Sequence, residues 1–309
     1  MIDGSRPAAS LSAPVSSAPP KTSPALDGAR EDEFTSEHHV YEPHKIGLPP
    51  IGPYVRALLR RREFAREMSR TTLRAQHYNT VFGQLWLVIN PLLLAGVYFV
   101  LVDILRAGSR GPDFFAHLMA GLFAYYFVSD SIRLSVKSVT GGGRLILNTA
   151  FPRALLPVSS VMTGFARFLP TVIVYVPVHL IAGLPIGPVL LWIVPLAGLM
   201  VVLATGASLL VASLQVYFRD LKNFLPYLLR VWLYASPVLY YADEVPDRYD
   251  WLLALNPLGG LLTAWSDVIN QGHAPDGTSL LLASAWAFGI FLAGALFFLS
   301  REREFAVRL

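Results

Sequence analysis

Residues 279–300 read SLLLASAWAFGIFLAGALFFLS, a run of 22 residues without a charged side chain. A helix of roughly 20 apolar residues crosses a hydrocarbon core of about 30 Å. Five comparable stretches precede this one, so the sequence predicts an all-α polytopic membrane protein with six transmembrane helices. The predicted spans are 84–105, 114–136, 156–184, 189–216, 224–241 and 279–300.

The composition agrees with a membrane protein. Hydrophobic residues make up 54% of the chain and charged residues 15%, whereas soluble domains carry about 25% charged residues. The net charge of +4 would suggest nucleic acid as the partner of a soluble protein. Here the basic residues stand beside the spans, where they fix orientation and meet anionic headgroups. We therefore expect membrane lipids, and no nucleic acid, as partners.

Metal and thiol chemistry find no support in the sequence. The chain has no cysteine, which excludes disulfides and thiolate ligands. The histidines are scattered and show no metalloprotease spacing. We expect no metal site.

Orientation follows from the lysines and arginines, which concentrate in alternate loops. This bias predicts that both termini, including the C-terminal residues 301–309, lie in the cytoplasm. One set of loops contains Lys137, Arg144, Arg153, Arg219, Lys222, Arg301, Arg303 and Arg308, and the other only Arg106, Arg110 and Arg248.

Two N-terminal segments precede the first span. Residues 1–50 are rich in Pro, Ser and Ala and predict a disordered cytoplasmic tail, with a dispensable extension favoured over a partner-binding arm. Residues 51–80 interleave arginines with apolar residues, which is typical of an amphipathic helix lying in the membrane interface. A calmodulin-type binding peptide is the weaker alternative.

The segment 242–278, between the last two spans, predicts an outer re-entrant hairpin. It holds two apolar stretches that are each too short to cross a bilayer. Irregular backbone at that depth requires surrounding protein or a water-filled cavity, so we expect this hairpin to line an exit. For its two tryptophans, simple anchoring of the hairpin is an equal alternative. The candidate outer gate consists of Trp251, Asn256, Pro257 and Trp265.

A stripe of tyrosines marks the fifth span. Tyr227, Tyr234 and Tyr241 stand at heptad spacing, which keeps them on one side of a helix. Phenols in the membrane are costly against lipid and should face protein or a polar cavity, although an interfacial belt is the alternative. Sugar rings stack on aromatic planes, so these residues suit a polysaccharide conduit. Further candidate lining residues are Tyr98, Tyr125, Tyr126 and Trp232.

Arg167 and Arg230 lie in the cytoplasmic third of the third and fifth predicted spans. Arg167 and Arg230 either snorkel to the interface or hold a phosphate through the guanidinium fork. On the second hypothesis they receive the pyrophosphate of a polyprenyl carrier. The alternative receivers are Arg60, Arg61, Arg62 and Arg66.

From about Arg60 to its C-terminus the chain resembles the membrane subunits of type-2 ABC exporters that export lipid-linked polysaccharides such as O-antigens, teichoic acids and mycobacterial galactan. Trp265-Ser266-Asp267 departs from that pattern, since such exporters often place an arginine in this segment. The motifs that carry the resemblance are, in chain order, Gly83-Gln84-Leu85-Trp86, Asn90-Pro91, Phe151-Pro152-Arg153-Ala154-Leu155-Leu156-Pro157, Tyr217-Phe218-Arg219-Asp220-Leu221, Ser236-Pro237-Val238-Leu239-Tyr240 and Leu255-Asn256-Pro257.

The resemblance implies a channel-forming permease in a bacterial inner or plasma membrane. It implies a homodimer that works with two copies of a separate ATPase. No Gly-Lys-Ser/Thr occurs in the chain, and a P-loop requires it. ATP and Mg therefore belong to the partner, and this chain is no enzyme and needs no cofactor.

The loop 137–153 is then the coupling loop that contacts the ATPase. On charge alone an ordinary positively charged cytoplasmic loop would be preferred, and the family match reverses that preference. The residues assigned to coupling are Arg144, Leu145, Ile146, Asn148, Phe151, Pro152 and Arg153.

Other functions fit less well. An exporter of a drug or small lipid is the nearest rival. A membrane-embedded enzyme acting on polyprenyl-linked sugars would need converging carboxylates, and Asp103, Asp113 and Asp130 have no obvious partner in the sequence. An ion-conducting protein would need a filter-like sequence, which we do not find.

Overall fold

The computed structural model describes residues 49–76, 82–105 and 111–308. Nearly all of the predicted tail, 1–48, lies outside the described residues. Within them every regular element is helical, which confirms the all-α fold. The α-helices are α1 Ile51–Arg60, α2 Arg62–Gln76, α3 Trp86–Leu105, α4 Pro112–Ser135, α5 Ser138–Gly141, α6 Gly143–Asn148, α7 Leu155–Ile181, α8 Ile193–Tyr217, α9 Leu221–Ala235, α10 Asp250–Leu255, α11 Gly259–Ser266, α12 Gly277–Arg301 and α13 Phe305–Arg308.

Four of these segments are long and apolar enough to cross a membrane, which confirms a multi-span membrane protein. They are Trp86–Leu105, Leu155–Ile181, Pro188–Tyr217 and Gly277–Arg308. The other two predicted spans correspond to α4, whose polar side chains lower its hydropathy, and to α9, which has only 15 residues. A total of six spans remains a prediction.

The helix α9 ends earlier than the sequence suggested. The predicted span 224–241 reaches Tyr241, but the helix stops at Ala235 and Ser236 is extended, with φ −98° and ψ 147°. The physical reason is that a proline disfavours helical backbone in the residue before it. Tyr241 therefore lies beyond the helix that carries Tyr227 and Tyr234.

A sharp bend separates the two apolar stretches that follow. Asp247–Leu255 and Gly259–Gln271 are together long and apolar enough to cross a membrane, and the angle between them is 106°. Asn256 is extended at the break. This geometry is that of either a broken span or a re-entrant loop.

The buried side chains form two clusters. The larger centres on α4, α8 and α11 and includes Leu122, Met200 and Leu261. The smaller joins the ends of α7, α8 and α12 to α5 and α6, and includes Val139 and Phe298. We call the smaller one the end cluster.

Two glycines let α8 and α12 approach closely. A Cβ atom on Gly294 would overlap the carbonyl oxygen of Gly206, and one on Gly206 would overlap the backbone of Phe291. Small residues of this kind permit tight helix packing in membranes, where the hydrophobic effect between helices is absent.

Substitution of Gly294 should therefore destabilise the protein. We expect Gly294→Ala to lower the free energy of unfolding by about 1–3 kcal/mol, the usual cost of overpacking. Gly289→Ala on the same helix is the matched control, because a Cβ atom there meets nothing within 4 Å, and alanine is the better helix former. Thermal unfolding in detergent measures both, and equal melting temperatures would contradict the packing argument.

Candidate functional site

A cavity of about 780 Å³ lies between α3, α4, α7 and α9. Its walls are mostly aromatic and aliphatic, for example Trp86, Tyr98 and Phe168. Four charged residues interrupt this apolar lining: Asp130 and Arg133 on α4, Arg167 on α7 and Arg230 on α9, with Asp130 as its one carboxylate among the described residues.

The charges are arranged around Asp130. One carboxylate oxygen lies 2.6 Å from Nη2 of Arg133, one turn along the same helix. The other lies 3.2 Å from Nη1 of Arg167 and so joins α4 to α7. A charge in an apolar environment requires such partners.

Arg230 lines the same cavity without an ion pair to any described residue. Three arginines against one aspartate leave the lining with a net charge of +2. A cleft lined with excess positive charge attracts anions. The cavity therefore combines an anion-binding group with aromatic surfaces.

Three of the predicted lining tyrosines lie at this cavity. Tyr98, Tyr125 and Tyr126 contribute to its wall. Tyr125 is buried, and its hydroxyl donates a hydrogen bond to the carbonyl of Leu229, which ties α4 to α9. Tyr125 also packs edge-on against Tyr126 and Trp232, with ring centroids 6.0 and 6.2 Å apart.

The other predicted lining residues lie elsewhere. Tyr227 and Tyr234 are on the exposed side of α9, and Tyr234 contacts Tyr98 edge-on at 6.4 Å. Tyr241 stacks on His117, with ring centroids 4.2 Å apart. Trp232 donates from Nε1 to Oδ1 of Asn256 at 2.7 Å. A lining role for these four residues stays a prediction.

Asn256, from the predicted outer gate, is buried and hydrogen-bonds to several parts of the chain. Its amide nitrogen donates to the carbonyl of Ala235 and to Oγ of Ser236, both at 3.0 Å. Its oxygen accepts from Trp232 and from the backbone N–H of Leu258. All four hydrogen-bonding positions of this side chain are thus used to hold the bend against the end of α9.

The remaining gate residues differ in burial. Trp265 is buried in the large core and packs 6.3 Å from Phe168. Trp251 is exposed, and Pro257 is half-buried at the bend. The structure brings Asn256 and Pro257 together at the bend, and gating stays a prediction.

The alternative receiving arginines lie outside the cavity. Arg60, Arg61, Arg62 and Arg66 are exposed on α1, α2 and the residue between them. Arg66 pairs with Glu63 at 2.6 Å, and the Arg61 guanidinium donates to the carbonyl of Ala150. Of the six arginines predicted to receive the carrier, only Arg167 and Arg230 share one cavity.

The predicted coupling loop, 137–153, is held by contacts among Tyr54, Arg153 and Glu302, which we call the clasp. The backbone N–H of Arg153 donates to Oε1 of Glu302 at 2.6 Å, and its guanidinium donates to the Glu302 carbonyl. The Tyr54 hydroxyl contacts Glu302 and accepts from the N–H of Ala154 at 3.3 Å. Burial raises the pKa of the Tyr54 phenol far above its usual range, so this hydroxyl keeps its proton as a donor.

The predicted coupling residues divide into buried and exposed ones. Ile146 is buried in the end cluster and Leu145 packs against it. Phe151 packs on Phe64 of α2 at 5.4 Å. Asn148 is exposed, and Pro152 half-buried. The side chain of Arg144 lies outside the described residues.

Sequence reasoning assigned no site role to Leu147, Tyr54 or Glu302, and it left Asp130 without a partner. Leu147 is 62% exposed on α6. Leu145, Ile146 and Leu147 are consecutive and cannot share one face of a helix. This pattern could have predicted that one of them is exposed. The pair Asp130 and Arg133, spaced i to i+3 inside a span, was a second available signal.

Loss of the clasp carboxylate should loosen the coupling loop. Glu302 is only 8% exposed, and we expect Glu302→Ala to lower the free energy of unfolding by about 2–4 kcal/mol, because it removes a buried charged acceptor. Glu304→Ala is the comparison: that carboxylate is 40% exposed and bonds Arg301, Tyr217 and Arg308, so its removal should cost less than the loss of the buried Glu302. Thermal unfolding and limited proteolysis of the loop measure both effects. A Glu302 variant as stable as the Glu304 control would show that the clasp does not support the loop.

These features define a class. A multi-span helical membrane protein with a positively charged, aromatic-walled cavity between its helices has the architecture of a transport subunit. Within the described residues no group of three or more histidine or acidic side chains could hold a metal ion.

Comparison with known proteins agrees with this class. No family model matches the chain. An O-antigen export system permease protein RfbA from Klebsiella pneumoniae is 29% identical over 201 residues, which are 65% of this chain and 77% of the relative. A protein of the same name from Myxococcus xanthus is 28% identical, covering 82% of this chain and 97% of the relative. The polysialic acid transport protein KpsM of Escherichia coli is 22% identical, covering 71% and 86%.

The resemblance drawn from the sequence is thereby confirmed. The similarity supports a permease subunit of a type-2 ABC exporter, and the relatives are named as permease and transport proteins.

Proposed function

We propose that this chain forms the channel of an ATP-driven exporter that moves a polyprenyl-diphosphate-linked polysaccharide out of the cytoplasm. The observation that carries the proposal is the cavity between α3, α4, α7 and α9, with its net charge of +2 and its aromatic walls. The relatives are named for O-antigen export and polysialic acid transport, which supports a polysaccharide as the substrate.

The cavity suits the head of such a substrate. A guanidinium fork pairs two N–H groups with phosphate oxygens, and Arg167 and Arg230 supply two of them from different helices. Tyr98 and Tyr126 offer faces and hydroxyls for the adjoining sugar. A volume of about 780 Å³ accommodates a diphosphate and a few sugar units but no long polymer.

The polymer then passes along a surface shared by two copies of the chain. The exposed side of α9 presents Phe224, Tyr227, Val231 and Tyr234, an aromatic row that suits a sugar chain more than lipid. Tyr98 lies beside this row through its contact with Tyr234. In a homodimer these residues would line the conduit, and the head cavity would open beside it.

The membrane arrangement follows the charge bias. Six spans place both termini in the cytoplasm of a bacterial cell, with α10 and α11 dipping into the outer leaflet as a re-entrant hairpin. Ile51, Val55 and Leu59 form an exposed apolar stripe on α1, at the i, i+4 spacing that suits a helix lying in the interface.

Energy comes from two copies of an ABC ATPase that binds ATP and Mg. The exposed side of α6, with Leu147 and Asn148, is the surface offered to it, because the opposite side of the same helix is fixed in the end cluster. An apolar residue exposed on a short, well-anchored helix is the kind of group that fills a pocket on a partner.

A charge on α6 should separate the two subunits. We expect Leu147→Asp to abolish copurification of the ABC ATPase with the tagged chain from host membranes, since it places a carboxylate in an apolar contact. Ile186→Asp is the matched control, an equally exposed residue in the turn at the far end of α7. Retention of the ATPase by the Leu147 variant would remove α6 from the contact.

The substrate assignment is tested in proteoliposomes of the purified complex. Stimulation of ATP hydrolysis by a polyprenyl-diphosphate-linked glycan should fall about tenfold in Arg230→Gln, since one charge-assisted hydrogen bond is lost. Arg248→Gln is the control, because Arg248 stacks on Tyr249 away from the cavity. If Arg230→Gln responds like the wild type, Arg230 only snorkels to the interface and does not bind the substrate. If small lipids alone stimulate ATP hydrolysis by the wild type, the assignment to a polysaccharide is wrong.

A further inference from the structure

Asp130 is the one acidic residue among the described residues that line the cavity. It stands between two guanidinium groups, with Arg133 at 2.6 Å and Arg167 at 3.2 Å. Its negative charge occupies the place where an arriving anion would bind. A site built only to attract anions would gain nothing from a carboxylate there.

We propose that Asp130 is an internal counter-anion that the diphosphate of the substrate displaces from Arg167. This inference rests on the proposed function and adds a specificity-determining residue to it. The exchange breaks one ion pair, between Asp130 and Arg167, and forms another, between Arg167 and a diphosphate oxygen. No proton is transferred and no covalent bond changes.

The two arginines bonded to Asp130 are unequal, and this asymmetry supports the exchange. Arg167 comes from another helix, and its side chain is 15% exposed. Arg133 is on the same helix as Asp130, and its side chain is 57% exposed. When Arg167 turns to the diphosphate, Asp130 keeps Arg133, so no charge is left without a partner in the apolar wall.

The pair also explains how a strongly basic cavity can release its substrate. Transport requires binding that is favourable enough to enter and weak enough to leave. Asp130 competes with the diphosphate for Arg167 at every moment, so it lowers affinity and speeds release. It also keeps Arg167 paired while the cavity is empty.

The test is direct binding of geranylgeranyl diphosphate to the purified full-length chain in detergent, by isothermal titration at fixed ionic strength. We expect Asp130→Asn to bind the probe on the order of tenfold more tightly, the factor that corresponds to one competing charge-assisted hydrogen bond. Arg167→Gln should bind it more weakly. In the Arg167→Gln background, Asp130→Asn should raise the affinity for the probe much less than it does in the wild type. The reason is that Asp130 competes with the probe only for Arg167.

Three controls keep the result interpretable. Asp103→Asn removes a carboxylate of α3 that is not part of the cavity lining and should leave the affinity unchanged, which excludes an effect of net charge alone. Asp130→Glu keeps the anion and should bind like the wild type. Asp130→Ser removes the carboxylate in a second way, should the asparagine variant fail to fold.

The outcomes separate this inference from the proposed function. If the wild type binds the probe and neither carboxylate-free variant binds it more tightly, Asp130 only holds the helices together and the inference is wrong, while diphosphate binding stands. If no variant binds the probe, diphosphate reception itself is wrong, and the inference falls with it. If phosphatidylglycerol binds as tightly and gains equally from Asp130→Asn, the site takes anionic headgroups in general and the assignment to a diphosphate is overturned.

Discussion

An ionised side chain inside an apolar slab must find its compensating charge within the protein, and this constraint organises the centre of the structure. Asp130 and Arg167 meet it by pairing across α4 and α7 at 3.2 Å. The pair fixes these two helices against each other. The ion pair also needs polar surroundings, because the attraction between two charges seldom offsets the cost of removing both from water. The cavity with Arg133 and Arg230 supplies them, so the charges that hold the helices also contribute to the net charge of +2 in the cavity lining.

The end of the bundle that carries the coupling loop obeys a related rule. Backbone groups of the loop are bonded there by side chains from other parts of the chain. Glu302 accepts from the N–H of Arg153, and Arg61 reaches the carbonyl of Ala150. The loop is therefore framed by the N-terminal helices and the C-terminal segment. On the described part of α6, Leu147 and Asn148 are exposed while Ile146 is buried.

The sequence was informative wherever one local pattern decides the structure. The long apolar runs predicted α3, α7, α8 and α12, and Asn256-Pro257 marked the observed bend. The sequence did not predict contacts between residues that are far apart in the chain. The contact between Arg153 and Glu302 joins residues 149 positions apart, and the contact between Asp130 and Arg167 joins residues 37 apart. The tyrosine stripe was extended to Tyr241 because periodicity continued, although Pro237 had already ended the helix.

The covalent path between the coupling loop and the cavity is short, and this has a mechanical consequence. The chain runs from α4 through α5 and α6 directly into α7, and these are the two helices that Asp130 and Arg167 connect. Val139 is buried in the end cluster and Arg153 is bonded to Glu302, so both ends of that connection are anchored. An ion pair is sensitive to small changes in distance when it is shielded from water. A shift between α4 and α7 therefore changes how firmly Asp130 holds Arg167, so a movement of α6 would bear on the ion pair that the proposed diphosphate displaces.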